Sequence, residues 1–403
     1  MRISSSLAVG SPTARVTAIL VTTLLVASLI VGAGVAGGRL LAADDTIVVD
    51  QAGDITSIAE AVALAQDGDT IVVMVGTYDE SVAVAKDITI RGGGDRADVI
   101  VENSAELPPG AVDDVPGLPF AFRFEDATAA LQNLTLRGES ARIDIAGGAV
   151  TLSDLHLDGT GRVFDIDSNS SVPAGVDLEA GANVTITATV LDDAAIDVEN
   201  GSIATVTKSE FNGGYIWMQG SDVSVDLVDN DFTDNPQWAA VSVQGGASAR
   251  ITDNDFIGGG TNIEVKDAGH GISDRGSVAE IVGNRFEGGT NGITADGGTA
   301  VDISGNRFVG MGGAAARVAR PVSAAIRENT MEGGLGGITV SGDVDIDSNV
   351  VTGVDGVGLL ISGGSPVLTE NQVCDNGTNL LVADGATPDI QASNEICPDP
   401  VAE

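Results

Sequence analysis

The chain has 403 residues, of which 58 are acidic and 19 basic, so its formal net charge at pH 7 is −39. This charge argues against nucleic acid as a partner, because phosphate binding requires clustered Lys and Arg. The hydrophobic content of 43% separates the chain from a disordered acidic tail and supports a large core. Glycine is abundant at 54 residues, whereas Trp and Tyr number 2 each, which is not typical of an ordinary α/β enzyme.

Residues 1–43 have the pattern of an export segment. A run of uncharged, mostly apolar residues, 16–38, lies between Arg15 and Arg39. The run is long enough to span a bilayer, and the small residues near its end also fit a cleavage site. We expect residues 1–43 to be a cleaved signal peptide or a retained membrane anchor. Either one places residue 44 onward outside the cytoplasm, secreted or at the cell surface.

A repeat runs through the rest of the chain from residue 230. Each unit has an asparagine, an apolar residue two positions later, glycines and a short strand of alternating polarity, and successive asparagines are 24, 30, 22, 23, 20, 22 and 23 residues apart. A coil of about 22 residues with three short strands is typical of a parallel β-helix, whose coils stack about 4.8 Å apart. We therefore predict columns of inward apolar side chains and a ladder of asparagines in the turns. The asparagines are Asn230, Asn254, Asn284, Asn306, Asn329, Asn349, Asn371 and Asn394.

The two cysteines follow the same register. Cys374 and Cys397 are 23 residues apart, and each lies three residues after a ladder asparagine. They should stack on neighbouring coils about 4.8 Å apart, which is within reach of a disulfide. Export would permit the oxidation, so we predict a disulfide that closes the last coil.

The beginning of the predicted solenoid has a pattern of its own. Residues 46–94 contain Thr-Ile-Val-Val-Asp, Ile-Ala-Glu-Ala-Val, Asp-Gly-Asp-Thr-Ile-Val-Val, Gly-Thr-Tyr-Asp-Glu and Asp-Ile-Thr-Ile-Arg-Gly. This segment resembles the N-terminal cap of right-handed parallel β-helix proteins of the pectin-lyase-like superfamily. In that superfamily a short amphipathic helix covers the open end of the solenoid, and residues 57–65 have apolar residues at helical spacing.

The resemblance implies an all-β fold for residues 44–403. We expect a right-handed, single-stranded parallel β-helix with a short N-terminal capping helix. The cap and first coils would occupy residues 44–94, and the repeat coils residues 121–403. Because this scaffold carries unrelated activities, the resemblance predicts the fold and leaves the chemistry open.

One segment is similar to a catalytic motif of polygalacturonases, namely Gly269-His270-Gly271-Ile-Ser. Those enzymes combine it with three aspartates on the two preceding coils and a downstream Arg-Ile-Lys, and neither pattern is found in this sequence. Glycoside hydrolysis requires two carboxylates that flank one bond, and the sequence does not identify such a pair. Whether the chain is an enzyme stays open. The remaining catalytic candidates are His270, Lys266, Arg275 and Asp274.

A cation site is one interpretation of three alternating aspartates. Asp343, Asp345 and Asp347 would lie on one side of a strand, about 6.8 Å apart, with Asp302 on an earlier coil. Carboxylates of this kind are ligands for calcium, so Ca²⁺ is the candidate cofactor. The alternative is a solvated outward surface in a very acidic protein.

Three consecutive strands predict an exposed binding strip. Residues 216–220 align with residues 241–245 and 263–266, so the aliphatic side chains of each strand point inward. Aromatic faces beside carboxylates and a cation suit sugar rings and their hydroxyl groups. The alternative is that the aromatic side chains only shield the sheet. The predicted ligand-binding residues are Tyr215, Trp217, Trp238, Gln244, Glu264 and Lys266.

Three hypotheses for function follow. The first is an exported monomer that binds a polysaccharide or another surface glycan on this strip without catalysis. The second is a polysaccharide-active enzyme, a lyase or epimerase on uronic-acid polymers rather than a glycoside hydrolase. The third is a structural or adhesive surface protein. The missing motifs count against the second, and the charge of −39 disfavours a polyanionic substrate unless Ca²⁺ bridges it. We therefore predict the first.

Overall fold

The chain winds as a solenoid in which successive coils pair through parallel strands. The computed structural model describes residues 45–105, 119–138, 140–159, 175–234, 239–267 and 276–399. A typical coil contributes one strand to each of three faces, called face 1, face 2 and face 3 in chain order. In these ranges, faces 1 and 2 form one 27-stranded sheet and face 3 forms a 13-stranded sheet.

Faces 1 and 2 belong to one sheet because two long strands, Thr128–Arg137 and Ala149–Asp158, run through both. The other strands of face 1 are Thr46–Val49, Thr70–Val73, Thr89–Gly92, Asn183–Thr187, Ile203–Thr207, Ser224–Val228, Ser248–Thr252, Val278–Val282, Ala300–Ser304, Ser323–Arg327, Asp345–Asp347, Val367–Thr369 and Asp389–Ile390. Those of face 2 are Gly76–Asp79, Val99–Glu102, Val190–Asp192, Glu210–Asn212, Asp231–Thr233, Asp255–Ile257, Arg285–Glu287, Arg307–Val309, Thr330–Glu332, Val350–Thr352, Gln372–Cys374 and Glu395–Ile396.

Face 3 carries the predicted binding strip. Its strands are Val82–Val84, Phe122–Glu125, Ile143–Ala146, Val176–Glu179, Ala195–Val198, Tyr215–Gln219, Val241–Gln244, Thr261–Lys266, Asn291–Asp296, Ala314–Ala319, Gly336–Ser341, Val357–Gly363 and Thr378–Val382. Successive residues alternate between the core and the outside, so residues two apart share a side, as period-two strands require.

The α-helix Ile58–Leu64 covers the N-terminal end, as the resemblance implies. Ser57 is its N-cap, and the carboxylate of Glu80 accepts hydrogen bonds from the backbone of Ile58 and Ala59. At the other end, Lys86 Nζ donates to the carbonyls of Val62, Ala63 and Ala65. The helix is thus fixed at both ends by charged side chains from the first coils. A 3₁₀ helix spans Arg96–Asp98.

The predicted asparagine ladder forms in the turn between faces 1 and 2. In each step the Nδ2 and backbone N–H of one asparagine donate to the Oδ1 of the next, as from Asn230 to Asn254 at 2.9 and 3.0 Å. The residue before each ladder asparagine from Asn230 to Asn371 adopts a positive φ, for example 59° at Asp229 and 70° at Gly283. Since the side chains of these asparagines are buried, the ladder satisfies polar groups in their turns.

Beside the ladder, five phenylalanines stack along the solenoid axis. Their rings are offset by 4.4 to 5.0 Å between centroids and lie within 10° of parallel. This spacing follows the strand spacing of about 4.8 Å, so the coil repeat itself sets the stacking distance. The rings are Phe211, Phe232, Phe256, Phe286 and Phe308.

The last coils carry the disulfide. Cys374 and Cys397 are joined, with Cα atoms 5.0 Å apart, on neighbouring coils as the spacing of 23 residues predicts. Within the described ranges, no helix is both long and apolar enough to cross a membrane. The predicted export segment, residues 1–43, lies outside those ranges.

Candidate functional site

The register of face 3 brings most of the predicted strip together. Trp217 pairs with Ser242, which pairs with Glu264, and these residues form one outward column. Two positions further along the strands, Gln244 pairs with Lys266 in a second column. Because successive strands are about 4.8 Å apart, these side chains line a strip parallel to the solenoid axis.

The two aromatic side chains lie outside the main core. Tyr215 and Ala195 form a separate cluster, and Trp217 packs against it. Ile216 and Met218, which alternate with them, are buried in the interior of the solenoid. Tyr215 is only 5% exposed, whereas Trp217 is partly exposed. The aromatic surface offered to solvent is therefore the indole of Trp217, with Tyr215 supporting it.

The polar residues of the strip are arranged in pairs. Lys266 Nζ donates to Glu264 Oε2 at 2.7 Å, so the two charges of this strand compensate each other. Gln244 Nε2 donates to Ser242 Oγ at 2.6 Å, and the Gln244 side chain is largely buried. In the two columns, the side chains of Glu264 and Lys266 are more exposed to solvent than those of Ser242 and Gln244.

An acidic column, which the sequence patterns above did not predict, continues the strip toward the N-terminus. Asp144 pairs with Asp177, Asp177 with Asp197, and Asp197 with Trp217, all in the same outward column. We call Asp144, Asp177 and Asp197 the acid column. Its signal is present in the sequence as an aspartate between two buried aliphatic residues in each of three strands.

A buried arginine holds the first two members of the acid column. The Arg142 side chain is 1% exposed, and its Nη2 lies 3.2 Å from Asp144 Oδ1 and 3.5 Å from Asp177 Oδ2. Arg123 precedes Asp144 in the same outward column. Arg142, which directly precedes the strand Ile143–Ala146, thus compensates the charges of two carboxylates that the stacking of coils brings close together.

Asp144 has a perturbed titration. Burial raises the pKa of its carboxyl above the ordinary value, and the attraction of Arg142 and Arg123 does not offset this desolvation. Its Oδ1 atom is buried and accepts no hydrogen bond from the described residues, although it lies close to Arg142. Carboxyl groups with a raised pKa recur at functional sites, and Asp144 lies three coils from Trp217 in the same column.

Four of the predicted site residues lie outside the residues that the structure describes. They are Trp238, His270, Asp274 and Arg275. Among the described residues, ligand atoms of three or more metal-binding side chains come within 4.8 Å of one another only at Cys374, Glu395 and Cys397, whose cysteines are oxidised.

The predicted calcium aspartates lie on face 1, away from the strip. Asp345 is exposed, and Asp343 Oδ1 accepts a hydrogen bond from the backbone of Ser365. Arg327, which lies between Ser304 and Asp347 along its column, makes an ion pair with Asp302 of the neighbouring column. Arg327, Asp345 and Asp347 line a groove of about 270 Å³ together with Val367 and Thr369. The Arg327 guanidinium lies among the carboxylates of this surface. Ca²⁺ binding there stays a prediction.

The comparisons with known proteins support the solenoid. A family model described as a right handed beta helix region matches residues 270–396. No curated protein sequence matches the chain. The periplasmic alginate epimerase AlgG has a similar structure, with 12% identity and a TM-score of 0.51 over 79% of this chain and 77% of that chain.

Two further solved structures are similar at lower scores. The A-module of the mannuronan C-5 epimerase AlgE6 from Azotobacter vinelandii has 13% identity and a TM-score of 0.46, over 85% of this chain and 94% of that chain. The catalytic unit of a GH87 alpha-1,3-glucanase from Streptomyces thermodiastaticus has 13% identity and a TM-score of 0.47, over 90% of this chain and 70% of that chain. At such identities the likeness concerns the fold. The chain therefore has the fold of a right-handed parallel β-helix built from repeated coils.

Proposed function

We propose that this protein binds an extended polysaccharide along face 3, with Trp217 at the centre of the binding surface. One observation carries the proposal, namely the aromatic cluster of Tyr215 and Trp217 outside the core. An aromatic side chain that packs on the outer surface of a sheet offers a flat apolar face to a sugar ring. Tyr215 makes that face rigid, which lowers the entropic cost of binding.

The polar groups beside Trp217 suit the edges of sugar rings. Glu264 and Lys266 lie on the same side of the strand, two coils beyond Trp217. Their groups offer both acceptors and donors, as hydroxyl-rich ligands require. Because the columns run parallel to the axis, a chain of sugar rings can extend over several coils.

The fold and the inferred location agree with this proposal. The structurally similar AlgG is, by its name, an alginate epimerase, so its scaffold handles a polysaccharide. An extracytoplasmic location, secreted or at the cell surface, is supported by the apolar pattern of residues 16–38 and by the disulfide between Cys374 and Cys397. We propose binding by a monomer, without nucleic acid as a partner.

A binding panel tests the proposal. The purified protein would be titrated by calorimetry with neutral, amine-bearing and uronic-acid polysaccharides, with and without Ca²⁺. We expect one class to bind, and Trp217→Ala to weaken that binding at least tenfold, because hot-spot aromatic residues contribute about 2 kcal/mol or more. The control is Ile203→Ala, which removes an exposed apolar side chain of face 1 and should leave binding unchanged. Equal binding by the Trp217→Ala variant would overturn the proposal.

A second candidate function is a polysaccharide-active enzyme, and the raised pKa of Asp144 beside the buried Arg142 favours it. A carboxyl that keeps its proton to higher pH can act as a general acid. The same panel, followed for new reducing ends and for ultraviolet absorbance of unsaturated products, tests it. Product that appears with the native protein and disappears with Asp144→Asn would establish turnover. Binding without product would leave the non-catalytic function.

A further inference from the structure

The disulfide of the last coils lies beside a carboxylate on the outside of face 2. Glu395 and Cys397 are two residues apart with the inward Ile396 between them, so their side chains share the outward side. On the preceding coil, Gln372 pairs with Glu395, and Cys374 lies next to Cys397. One ligand atom from each of Cys374, Glu395 and Cys397 lies within 4.8 Å of the others. We call these three residues the terminal cluster.

The carboxylate of the terminal cluster is oriented by a neighbour. Gln372 Nε2 donates to Glu395 Oε2 at 3.1 Å, which engages one of the two carboxylate oxygens. Hydrogen bonds of this kind orient the ligating side chains of metal sites. Glu395 is exposed and both cysteines are partly exposed, so an ion can reach the cluster from solvent.

The two cysteines have a second chemical state. A dithiol reductant transfers two electrons and two protons to the disulfide, which gives two thiols and leaves the reductant as a disulfide. The backbone holds the two coils together beside this bond, because Val373 pairs with Ile396 and Val373 O accepts from the Cys397 N–H at 3.0 Å. We therefore expect the two thiols to stay neighbours after reduction.

Two thiolates and a carboxylate make a ligand set for Zn²⁺. Zinc sites are tetrahedral, with Zn–S distances of about 2.3 Å, so two sulfur ligands lie about 3.8 Å apart. The Cα atoms of Cys374 and Cys397 are 5.0 Å apart, and rotation of the side chains can supply this sulfur separation without moving the coils. Thiolates select Zn²⁺ over Ca²⁺ and Mg²⁺, which take oxygen ligands.

We infer that the last coils, when reduced, bind one Zn²⁺ through Cys374, Glu395 and Cys397, and that the ion then replaces the disulfide as the link between the two coils. The two links exclude each other because each uses both sulfur atoms. Binding of Zn²⁺ releases the two thiol protons and requires no other reactant. The inference is independent of glycan binding on face 3.

The test measures zinc binding to the whole protein in both states. One sample stays oxidised, and the other is reduced with a dithiol and freed of it under anaerobic conditions. Titration with Zn²⁺ by calorimetry should give one ion per chain for the reduced protein, at least tenfold more tightly bound than any ion on the oxidised protein. Zn²⁺ should also slow the hydrogen exchange of the strand Glu395–Ile396 in the reduced protein.

Matched variants assign the ion to the terminal cluster. Glu395→Gln keeps the size of the side chain and the disulfide, and it should weaken zinc binding to the reduced protein at least tenfold. Glu370→Gln removes an exposed carboxylate of the neighbouring turn and should leave binding unchanged. Replacing both cysteines by serine should abolish the tight binding. Unfolding midpoints of the variants establish that each one is folded.

The outcomes decide the inference without touching the proposed function. Equal affinity of the oxidised and reduced proteins would assign zinc binding to the acidic surface and overturn the inference. Equal effects of Glu395→Gln and Glu370→Gln, or no effect of either, would overturn the three-ligand site. One ion for two chains would place the zinc between molecules and also overturn it. Glycan binding on face 3 is measured on the oxidised protein without zinc, so it stands or fails by itself.

Discussion

The guanidinium of Arg142 lies 3.2 Å from a carboxylate oxygen of Asp144, and the arginine side chain is 1% exposed. The same nitrogen is 3.5 Å from Asp177 on the next coil of face 3. A single buried cation thus compensates two carboxylates that the parallel stacking brings together. Removing a partner from such a buried arrangement is costly, because the remaining charges lose their compensation.

The first prediction concerns this arginine. Arg142→Met should lower the free energy of unfolding by about 3–5 kcal/mol, since Asp144 and Asp177 would remain buried without a cation. Urea unfolding followed by circular dichroism measures the effect. The control is Arg327→Met, which breaks an exposed pair with Asp302 and should cost no more than about 1 kcal/mol. Similar losses in both variants would show that Arg142 has no special structural role.

The second prediction concerns the asparagine ladder. Asn306 Oδ1 accepts from the backbone and side chain of Asn284, and its Nδ2 donates to Ile281 O and Asn329 Oδ1. Asn306→Ala should lower the free energy of unfolding by about 2–4 kcal/mol, because buried donors on Asn284 lose their acceptor.

The same unfolding experiment checks the ladder against an exposed asparagine. Asn183→Ala alters the exposed first residue of a face 1 strand and should change stability by about 0.5 kcal/mol or less. Asn306→Gln keeps the amide but displaces it by one methylene, so we expect it to fall between the two. A ladder variant as stable as Asn183→Ala would contradict the structural role.

The third prediction concerns the disulfide. The bond between Cys374 and Cys397 closes 23 residues, and the chain-entropy model assigns about 3 kcal/mol to a loop of this size. Because coils contact mainly their neighbours, the loss on reduction should be confined to the last coils. Hydrogen exchange of the strands Asp389–Ile390 and Glu395–Ile396 should become faster in reductant, while that of Ser224–Val228 stays unchanged. Reductant that accelerates both regions alike would contradict a local role.

The fourth prediction concerns Asp192 on face 2. Burial raises the pKa of this carboxyl, but hydrogen bonds from Asn212 and His156 more than offset that effect, so the pKa lies below its ordinary value. Asn212 Nδ2 donates to Oδ1 at 2.7 Å, and His156 Nε2 is 2.7 Å from Oδ2. With a lowered pKa, the stabilisation is present above the ordinary Asp pKa of about 3.9 and is lost as pH falls through the lowered value.

Carboxyl titration by nuclear magnetic resonance measures this shift directly. In the His156→Gln and Asn212→Ala variants the pKa of Asp192 should rise toward or above the ordinary value. The variants should also lose less stability on acidification than the native protein does. Their contacts to Asp192 are already absent at neutral pH, so protonation of Asp192 has less to remove. An unchanged pKa in both variants would assign the shift to other neighbours.

Much of the fold could be predicted from local patterns. The spacing of asparagines such as Asn284 and Asn306 equals the length of a coil. Each asparagine side chain hydrogen-bonds to polar groups of the turn in which it lies and of the next coil. The phenylalanines two residues after the first four ladder asparagines must stack on one another because the coils repeat at the strand spacing. The cysteine pairing follows from the same count of residues.

The strip was predictable for another local reason. Residues 216–220, 241–245 and 263–266 are similar enough in sequence to align by eye, and the structure pairs Trp217 with Ser242 and Ser242 with Glu264. The burial of Tyr215 and Gln244 could not be predicted, because it depends on how neighbouring side chains cover them. Period-two alternation predicts on which side of the sheet a side chain lies. It does not predict how exposed that side chain is.

The acid column could be identified only from the pairing of strands in the tertiary structure. Asp144 and Asp177 are separated by a coil much longer than the repeat, since residues 160–174 intervene, so counting residues does not align them. Their proximity is decided by the pairing of strands across coils of unequal length.

Local residue patterns predicted the coil, its turns and the disulfide, because each depends on residue types that recur at a nearly constant spacing, and the capping helix followed from the resemblance of residues 46–94. The pairing of strands across coils defined which outward side chains share a column and how deeply each is buried. The acid column and Trp217 lie in one column beside the buried Arg142, since the stacking of coils places residues 20 or more positions apart within about 4.8 Å of each other.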